Sequence, residues 1–221
     1  MRDASRYSPP QVLLEVEQTA NFSGGTVWPL DRLNAVADIA HANGMRTHMD
    51  GARLMNAVVA AGVPAHEMVA GFDSVWLDFT KGLGAPLGAV LAGDAAFIEA
   101  AWRWKQRMGG SLRQGGMNAA ACLYALDHNI ARLADDHANA RLLASELGQL
   151  PTLRVQSPET NLVYIDTTHS GIDADTLAQR VRGAGVLISV MGRHRARACT
   201  HLDVTRAQVL EAAQAIRAAM D

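Results

Sequence analysis

The 221-residue sequence predicts an α/β fold: a mostly parallel sheet with flanking helices, followed by a small α+β C-terminal domain. In the first 93 residues, short apolar segments alternate with segments of helical periodicity. Strands that alternate with helices are typical of crossover units, which build parallel sheets. Pro151 and the polar segment 156–160 then precede a second set of strands and helices. We therefore expect a large domain at residues 1–150 and a small one at 151–221.

Four short apolar segments, each bounded by turn residues, predict the strands of the large domain. They lie at residues 12–17, 45–50, 73–80 and 89–93. The first helix is predicted between Pro29 and Asn43-Gly44, because proline favours a helix start and glycine a helix end. The predicted helices of the whole chain lie at 29–44, 51–62, 94–109, 118–129, 131–150, 174–185 and 205–220, and the strands of the small domain at 161–166, 186–190 and 197–204.

Composition and charge exclude several classes of protein. Hydrophobic residues make up 49% and charged residues 19%, so we expect a packed core rather than disorder. The formal net charge of −2 predicts no nucleic-acid partner and no membrane partner, and the short basic run at 192–197 is a local exception. Cys122 and Cys199 lie far apart, as is typical of reduced intracellular proteins. With neither a secretory signal nor an apolar run of membrane-spanning length, we expect a cytoplasmic protein.

One lysine and one aspartate lie where predicted strands end. Lys81 opens the glycine-rich run KGLGAPLG, and Asp50 ends the strand at 45–50. Ligands of open parallel sheets bind beyond the carboxyl ends of the strands, so both residues, with Arg53 at the start of the next helix, are predicted in one site. A lysine amine can form a Schiff base with an aldehyde cofactor, and an aspartate can pair with a protonated pyridine nitrogen. The glycines would let the backbone approach a flat ring.

Other interpretations of these residues stay open. The run at 82–84 lacks the third glycine of a dinucleotide fingerprint, and a Walker loop needs its lysine after the glycines. Lys81 alone could be a solvated loop lysine, Asp50 a helix N-cap and His48 an ordinary strand histidine. The order of the motifs along the chain therefore has to carry the functional prediction.

Five stretches occur in a characteristic order: HMDGARLMNA (48–57), DFTKGLGAPLGAVLAG (78–93), GGSLRQGG (109–116), DHANARLLASEL (136–147) and RACTHLDV (197–204). With the opening VEQTANFSGGTVWPL, they resemble the low-specificity L-threonine aldolases, which are fold-type I pyridoxal-phosphate enzymes of the β-eliminating lyase group. The likeness runs along nearly the whole chain. It implies pyridoxal 5'-phosphate as cofactor. It also implies retro-aldol cleavage of a β-hydroxy α-amino acid such as threonine to glycine and an aldehyde.

The resemblance also implies roles for single residues. Lys81 would bind the cofactor covalently and move the α-proton, Asp50 would pair with the pyridine nitrogen, and Arg53 would contact the ring hydroxyl region. Arg113 would reach the cofactor phosphate of a neighbouring subunit, which implies a homodimer or homotetramer with shared active sites. Arg197 would bind the substrate carboxylate as a bidentate fork. Surface ion pairs are the alternative for Arg113 and Arg197, and no metal site is expected.

Two departures from the family pattern matter. The chain reads EQTAN at 17–21 where the family commonly reads ENTHN, so Ala20 replaces a histidine that would touch the substrate hydroxyl. Another reaction of the same cofactor, β-elimination or racemisation, is therefore the alternative to aldol cleavage. The family pattern also places roughly a hundred residues, enough for several strands, before the first strand. We expect the sequence to be the C-terminal portion of a longer protein, and a catalytically incomplete fragment or a partner subunit is the alternative of another class.

Overall fold

The computed structural model describes residues 6–220, and its two sheets confirm the predicted fold class. The described chain divides into two compact units. The first contains residues 6–19 and Trp28–Asp127, and the second contains Ala20–Val27 and residues 128–220. The predicted domain boundary at residue 150 lies inside the second unit and, as a statement about independently folding domains, stays a prediction.

The sheet of the first unit has four strands in the order β1 (Leu13–Glu17), β2 (Arg46–Gly51), β3 (Ser74–Asp78) and β4 (Ala89–Gly93). β1, β2 and β3 run parallel, and β4 is antiparallel to β3. Helices connect the parallel strands, as a crossover requires. The segment between β3 and β4 contains no helix and is too short for a crossover, so β4 has to return antiparallel.

The helices of the first unit are α1 (Leu30–Ala42), α2 (Leu54–Ala61), α3 (Ala65–Met68), α4 (Ala95–Arg107) and α5 (Gly116–His128). α1 follows Pro29 as predicted and buries Leu33, Ala37 and Ala40 on one face. α4 begins at an Asp94 cap and buries none of its residues, so its Trp102 and Trp104 are exposed. No helix in residues 6–220 has the length and apolar character needed to cross a bilayer.

The second unit contains α6 (Leu133–Leu147), β5 (Arg154–Val155), β6 (Leu162–Asp166), α7 (Ala174–Gly183), β7 (Ser189–Gly192), β8 (Arg195–Cys199) and α8 (Arg206–Ala218). Its strands pair antiparallel in the order β5-β6-β8-β7. Buried aliphatic residues of the three helices, among them Leu143, Leu177 and Ile216, pack on Val163 and Ile165 of β6 and on Ala196 of β8. The helix α6 thus belongs to the core of this unit.

Two strands of the second unit differ in their bounds from the prediction. The strand predicted at 197–204 is β8, which begins at Arg195 and ends at Cys199. The strand predicted at 186–190 begins only at Ser189. The Val186 N–H donates to the Val181 carbonyl, so this residue closes the end of α7 instead of pairing with a strand. Val186 and Ile188 pack against the core, which explains why the segment is apolar without being a strand.

The core of the second unit contains an ionisable group, His137 on α6, which is 3% exposed. Burial and, to a smaller extent, the charge of Arg141 lower the pKa of His137 to about 4. In the unfolded chain a histidine titrates near its ordinary pKa of about 6.5. The free energy of unfolding is therefore unaffected by protonation of this histidine above about pH 6.5. It decreases as the pH falls from there towards the pKa of His137 in the folded protein.

We expect His137 to lower the free energy of unfolding by about 3 kcal/mol as the pH falls from about 7.5 to 4. The free energy of unfolding is measured by urea unfolding across this pH range for the wild type and for His137→Gln. The difference between the two slopes of this free energy against pH gives the contribution of His137. His66→Gln is the matched control, because His66 has an exposed side chain. Equal slopes for the wild type and His137→Gln would contradict this prediction.

Candidate active site

The candidate site of the first unit lies at the carboxyl ends of β2 and β3. Asp50 lies near the end of β2, in register with Glu17 on β1 and Trp76 on β3. Lys81 lies just past the end of β3, so the structure places it at the same edge of the sheet as Asp50. This arrangement matches the position that the sequence predicted, and parallel sheets bind their ligands at this edge.

The side chain of Lys81 is held by its own strand. Its Nζ lies 2.8 Å from Asp78 Oδ2 and 5.1 Å from the centre of the Trp76 ring. The Lys81 side chain is 36% exposed, whereas that of Asp78 is 9% exposed. The interpretation as a freely solvated loop lysine is therefore wrong. The amine instead lies between a carboxylate and an aromatic face, a position that restricts its rotamers.

Asp78 is a carboxylate whose two oxygens are both engaged. Oδ1 accepts hydrogen bonds from the Thr80 N–H at 2.8 Å and the Thr80 hydroxyl at 2.7 Å, and Oδ2 faces Lys81. Burial raises the pKa of Asp78, but the hydrogen bonds from Lys81 and Thr80 and the lysine charge outweigh burial, so the pKa lies below its usual range. Asp78 is therefore ionised at neutral pH and presents a fixed negative charge to Lys81.

Asp50 is oriented by a tight turn. Its Oδ1 accepts a hydrogen bond from the Ala52 N–H at 2.9 Å, and the Gln18 N–H donates to its carbonyl at 2.8 Å. The interpretation of Asp50 as a helix N-cap is wrong, because α2 begins at Leu54 and Arg53 occupies its N-cap position. The half-buried carboxylate thus keeps acceptor capacity for another donor.

Gly51 makes this turn possible. A Cβ at this position would lie 2.2 Å from the Trp76 carbonyl oxygen, a backbone atom that cannot move aside. β2 and β3 can therefore approach only with glycine next to Asp50. Gly88, directly before β4, has a similar constraint, since a Cβ there would meet Cys122 Sγ at 2.5 Å and its φ is +146°. Close packing thus explains Gly88 without a ligand, and the role of the other glycines near Lys81 stays a prediction.

The remaining residues singled out in the first unit lie in different surroundings. Arg53 is half-buried, and its Nε is buried without a hydrogen-bond partner among the described residues. His48 shares a hydrogen bond of 2.8 Å with the Ser74 hydroxyl on the neighbouring strand, as an ordinary strand histidine would. Arg113 is exposed in the loop between α4 and α5, and within residues 6–220 no ion pair joins it to the other predicted site residues.

Arg197 belongs to the second unit, where β8 places it between Tyr164 on β6 and Ser189 on β7. Its Nη1 donates to Asn21 Oδ1 at 2.6 Å, and its Nε is buried without a hydrogen-bond partner in the described part of the chain. The interpretation of Arg197 as a surface ion pair is wrong for the described residues, since its side chain faces an amide instead of a carboxylate. Ala20, next to Asn21, is half-buried.

Sequence reasoning missed the residues that hold the predicted ones in place. Asp78 and Trp76 contact Lys81, and Asn21 contacts Arg197. Asp78 was visible in the sequence, because it ends the predicted strand three residues before Lys81, and side chains this close in sequence can meet at a strand end. Asn21 gave no such signal, since it lies far from Arg197 in the sequence. No group of three or more His, Cys, Asp or Glu side chains in residues 6–220 could hold a metal ion.

Comparisons with known proteins place the chain in a family. Residues 1–170 match the family described as "Beta-eliminating lyase". The chain is 38% identical over 208 residues to a low-specificity L-threonine aldolase of Arabidopsis thaliana, covering 93% of this chain and 58% of that protein. It is 37% identical over 206 residues to the low-specificity L-threonine aldolase of Escherichia coli K12, covering 93% and 60%.

A solved structure shares the fold of this chain. A putative L-allo-threonine aldolase of Listeria monocytogenes superposes with a TM-score of 0.78 at 21% identity, over 93% of this chain and 60% of that one, which shows a shared fold. This chain thus spans about three fifths of the length of the curated relatives that it matches. With a family match over residues 1–170, the chain belongs to the β-eliminating lyase family.

Proposed function

We propose that the chain acts in pyridoxal 5'-phosphate-dependent cleavage of a β-hydroxy α-amino acid, threonine-like, to glycine and an aldehyde. The observation that carries the proposal is a lysine amine held beside a carboxylate at the same sheet edge as Asp50. The similarity to threonine aldolases supports this choice of reaction among those open to the cofactor.

The residues present fit the proposed cofactor. Lys81 offers an amine that can bond to an aldehyde carbon, and the Asp50 carboxylate can pair with a protonated ring nitrogen. The Arg53 Nε is buried without a partner among the described residues, and a buried donor without an acceptor costs about 1–3 kcal/mol. A ring hydroxyl oxygen is an acceptor of the kind that would remove this cost. These three side chains belong to one unit, Asp50 and Arg53 after β2 and Lys81 after β3.

Different residues of the chain have different roles in the proposed reaction. Held by Lys81 and Asp50, the cofactor would supply an electron sink for the pair left on Cα when the Cα–Cβ bond breaks. Asp78 holds the Lys81 amine in place at the end of β3. Arg197 binds the substrate carboxylate through the N–H donors of its fork. Ala20 cannot take the proton of the β-hydroxyl, so we assign this step to a water molecule or to a residue outside 17–21.

We further propose a homodimer or homotetramer with shared active sites in the cytoplasm. The exposed Trp102 and Trp104 on α4 support the oligomer, since exposed apolar surface of this kind is typical of subunit interfaces. Arg113, exposed in the loop after the same helix, is proposed to reach the cofactor phosphate of the neighbouring subunit. Light scattering on the purified protein measures the subunit number.

The free Cys122 and Cys199 support the cytoplasmic location.

The labelling experiment uses an unusual property of the sequence, which contains two lysines, Lys81 and Lys105. The protein is incubated with pyridoxal phosphate, reduced with borohydride and digested, and the adduct is mapped by mass spectrometry. We expect a phosphopyridoxyl group on Lys81, with Lys105 as the internal reference because it lies on the solvent-exposed α4. Equal labelling of both lysines, or none, would refute the cofactor assignment for this chain and favour an incomplete fragment or a partner subunit.

Product analysis distinguishes the proposed reaction from its alternatives. Aldol cleavage of threonine releases glycine and acetaldehyde, β-elimination releases ammonia and a keto acid, and racemisation releases neither. We expect glycine and aldehyde in equal amounts. Ammonia, or inversion at Cα without cleavage, would move the assignment to another reaction of the same cofactor.

A further inference from the structure

We propose that Asn21 is a positioning residue that holds the Arg197 guanidinium, without neutralising it, for the carboxylate of an amino-acid substrate. The inference rests on the proposed function, because that function assigns the substrate carboxylate to Arg197. Asn21, Tyr164 and Arg197 all belong to the second unit.

Asn21 contacts Arg197 and is itself held by the neighbouring strand. Asn21 Oδ1 accepts a hydrogen bond from Arg197 Nη1 at 2.6 Å. The Tyr164 hydroxyl donates to the Asn21 carbonyl at 2.8 Å and lies 3.3 Å from Oδ1. Since Tyr164 and Arg197 are register partners on β6 and β8, the sheet fixes both groups that contact Asn21.

The segment Ala20–Val27, which contains Asn21, is hydrogen-bonded to the rest of the second unit along its length. These hydrogen bonds join side chains in and next to the sheet to the backbone of the segment, so they do not depend on the identity of residue 21. They are Arg195 Nη2 to the Phe22 carbonyl at 2.6 Å, Gln156 Nε2 to the Ser23 carbonyl at 3.0 Å, Thr160 Oγ1 to the Gly25 carbonyl at 2.7 Å, and the Val27 N–H to Glu159 Oε2 at 2.8 Å. A substitution at Asn21 should therefore leave the path of the segment intact.

The positive charge of Arg197 is not neutralised by a carboxylate among the described residues. Within residues 6–220, no salt bridge involves Arg197, and its Nε is buried without a hydrogen-bond partner. Asn21 fixes one end of the guanidinium through a neutral amide oxygen and leaves the positive charge and the other donors for an anion. An aspartate at this position would have nearly the same shape but would pair with Arg197 and compete with any incoming carboxylate.

The test replaces Asn21 by Asp and by Ala. We expect Asn21→Asp to raise the KM for threonine by about tenfold or more with a smaller change in kcat, because the lost interaction is with the substrate carboxylate. Its unfolding temperature should rise, since the new carboxylate meets a partly buried guanidinium. Asn21→Ala should raise KM less and should not raise the unfolding temperature. Asn34→Asp, on the exposed surface of α1, controls for the added negative charge.

A second readout is independent of cofactor and turnover. The Nε–H signal of Arg197 is followed by nuclear magnetic resonance during titration with sodium acetate, and its assignment comes from its loss in Arg197→Lys. We expect the signal to move in the wild type and to require about tenfold more acetate in Asn21→Asp. Equal acetate affinities of the two proteins would overturn the inference, whatever the outcome for Lys81. Failure of the proposed function alone would abolish turnover and Lys81 labelling but leave this difference intact.

Discussion

Replacing Lys81 by arginine or alanine is expected to lower turnover of threonine by on the order of a thousandfold or more, and to abolish the borohydride adduct at this position. Arginine keeps a positive charge beside Asp78, whose side chain is 9% exposed, but a guanidinium cannot form the covalent bond that the amine forms. The Lys81→Arg variant should therefore fold like the wild type and remain inactive. Steady-state kinetics and circular dichroism measure the two properties separately.

Two further variants serve as controls for Lys81→Arg. Lys105→Ala removes the other lysine of the chain, whose Nζ lies over the Trp102 ring, and should leave the borohydride adduct at Lys81 in place. Lys81→Ala leaves the buried Asp78 carboxylate without the amine and is expected to be less stable than Lys81→Arg. Wild-type turnover in Lys81→Arg would show that the lysine acts only as a structural ion-pair partner.

Replacing Arg197 by methionine is expected to lower kcat/KM by on the order of a hundredfold or more, mainly through KM. Arg197→Lys should recover only part of this loss, because an ammonium group cannot form the two parallel hydrogen bonds of a guanidinium fork. The kinetics are measured with threonine and with threonine amide, which lacks the carboxylate. The amide should be a poor substrate for the wild type and about as poor for both variants.

Arg193→Met is the control for Arg197. Arg193 is exposed in the turn between β7 and β8, so its replacement removes one positive charge from the same hairpin without touching Asn21. We expect its kcat/KM to equal that of the wild type. A similar loss in Arg193→Met and Arg197→Met would mean that the overall charge of the hairpin, and not the fork of Arg197, attracts the substrate.

The sheet of the first unit was predictable because its signals are local. The alternation of short apolar segments with amphipathic helices is a local property of the sequence and does not depend on how the side chains pack. It correctly placed β1 to β4 and α1 within a few residues. The strand predicted at 186–190 was displaced because its apolar side chains serve the core of the second unit, where Val186 closes α7. Periodicity cannot distinguish a buried helix end from a buried strand.

Local sequence therefore sufficed to determine the fold class, the placement of Asp50 and Lys81 at strand ends, and the family. These properties depend on residue order and on the period of each element, which are written along the chain. Only the tertiary structure decided the partner of Arg197. Asn21 meets Arg197 from a distant part of the chain, whereas Lys81 finds Asp78 and Trp76 on the strand that directly precedes it. Folding of the segment Ala20–Val27 against β6 and β8 brings Asn21 within hydrogen-bond distance of Arg197, and this contact is a property of folded geometry rather than of sequence spacing.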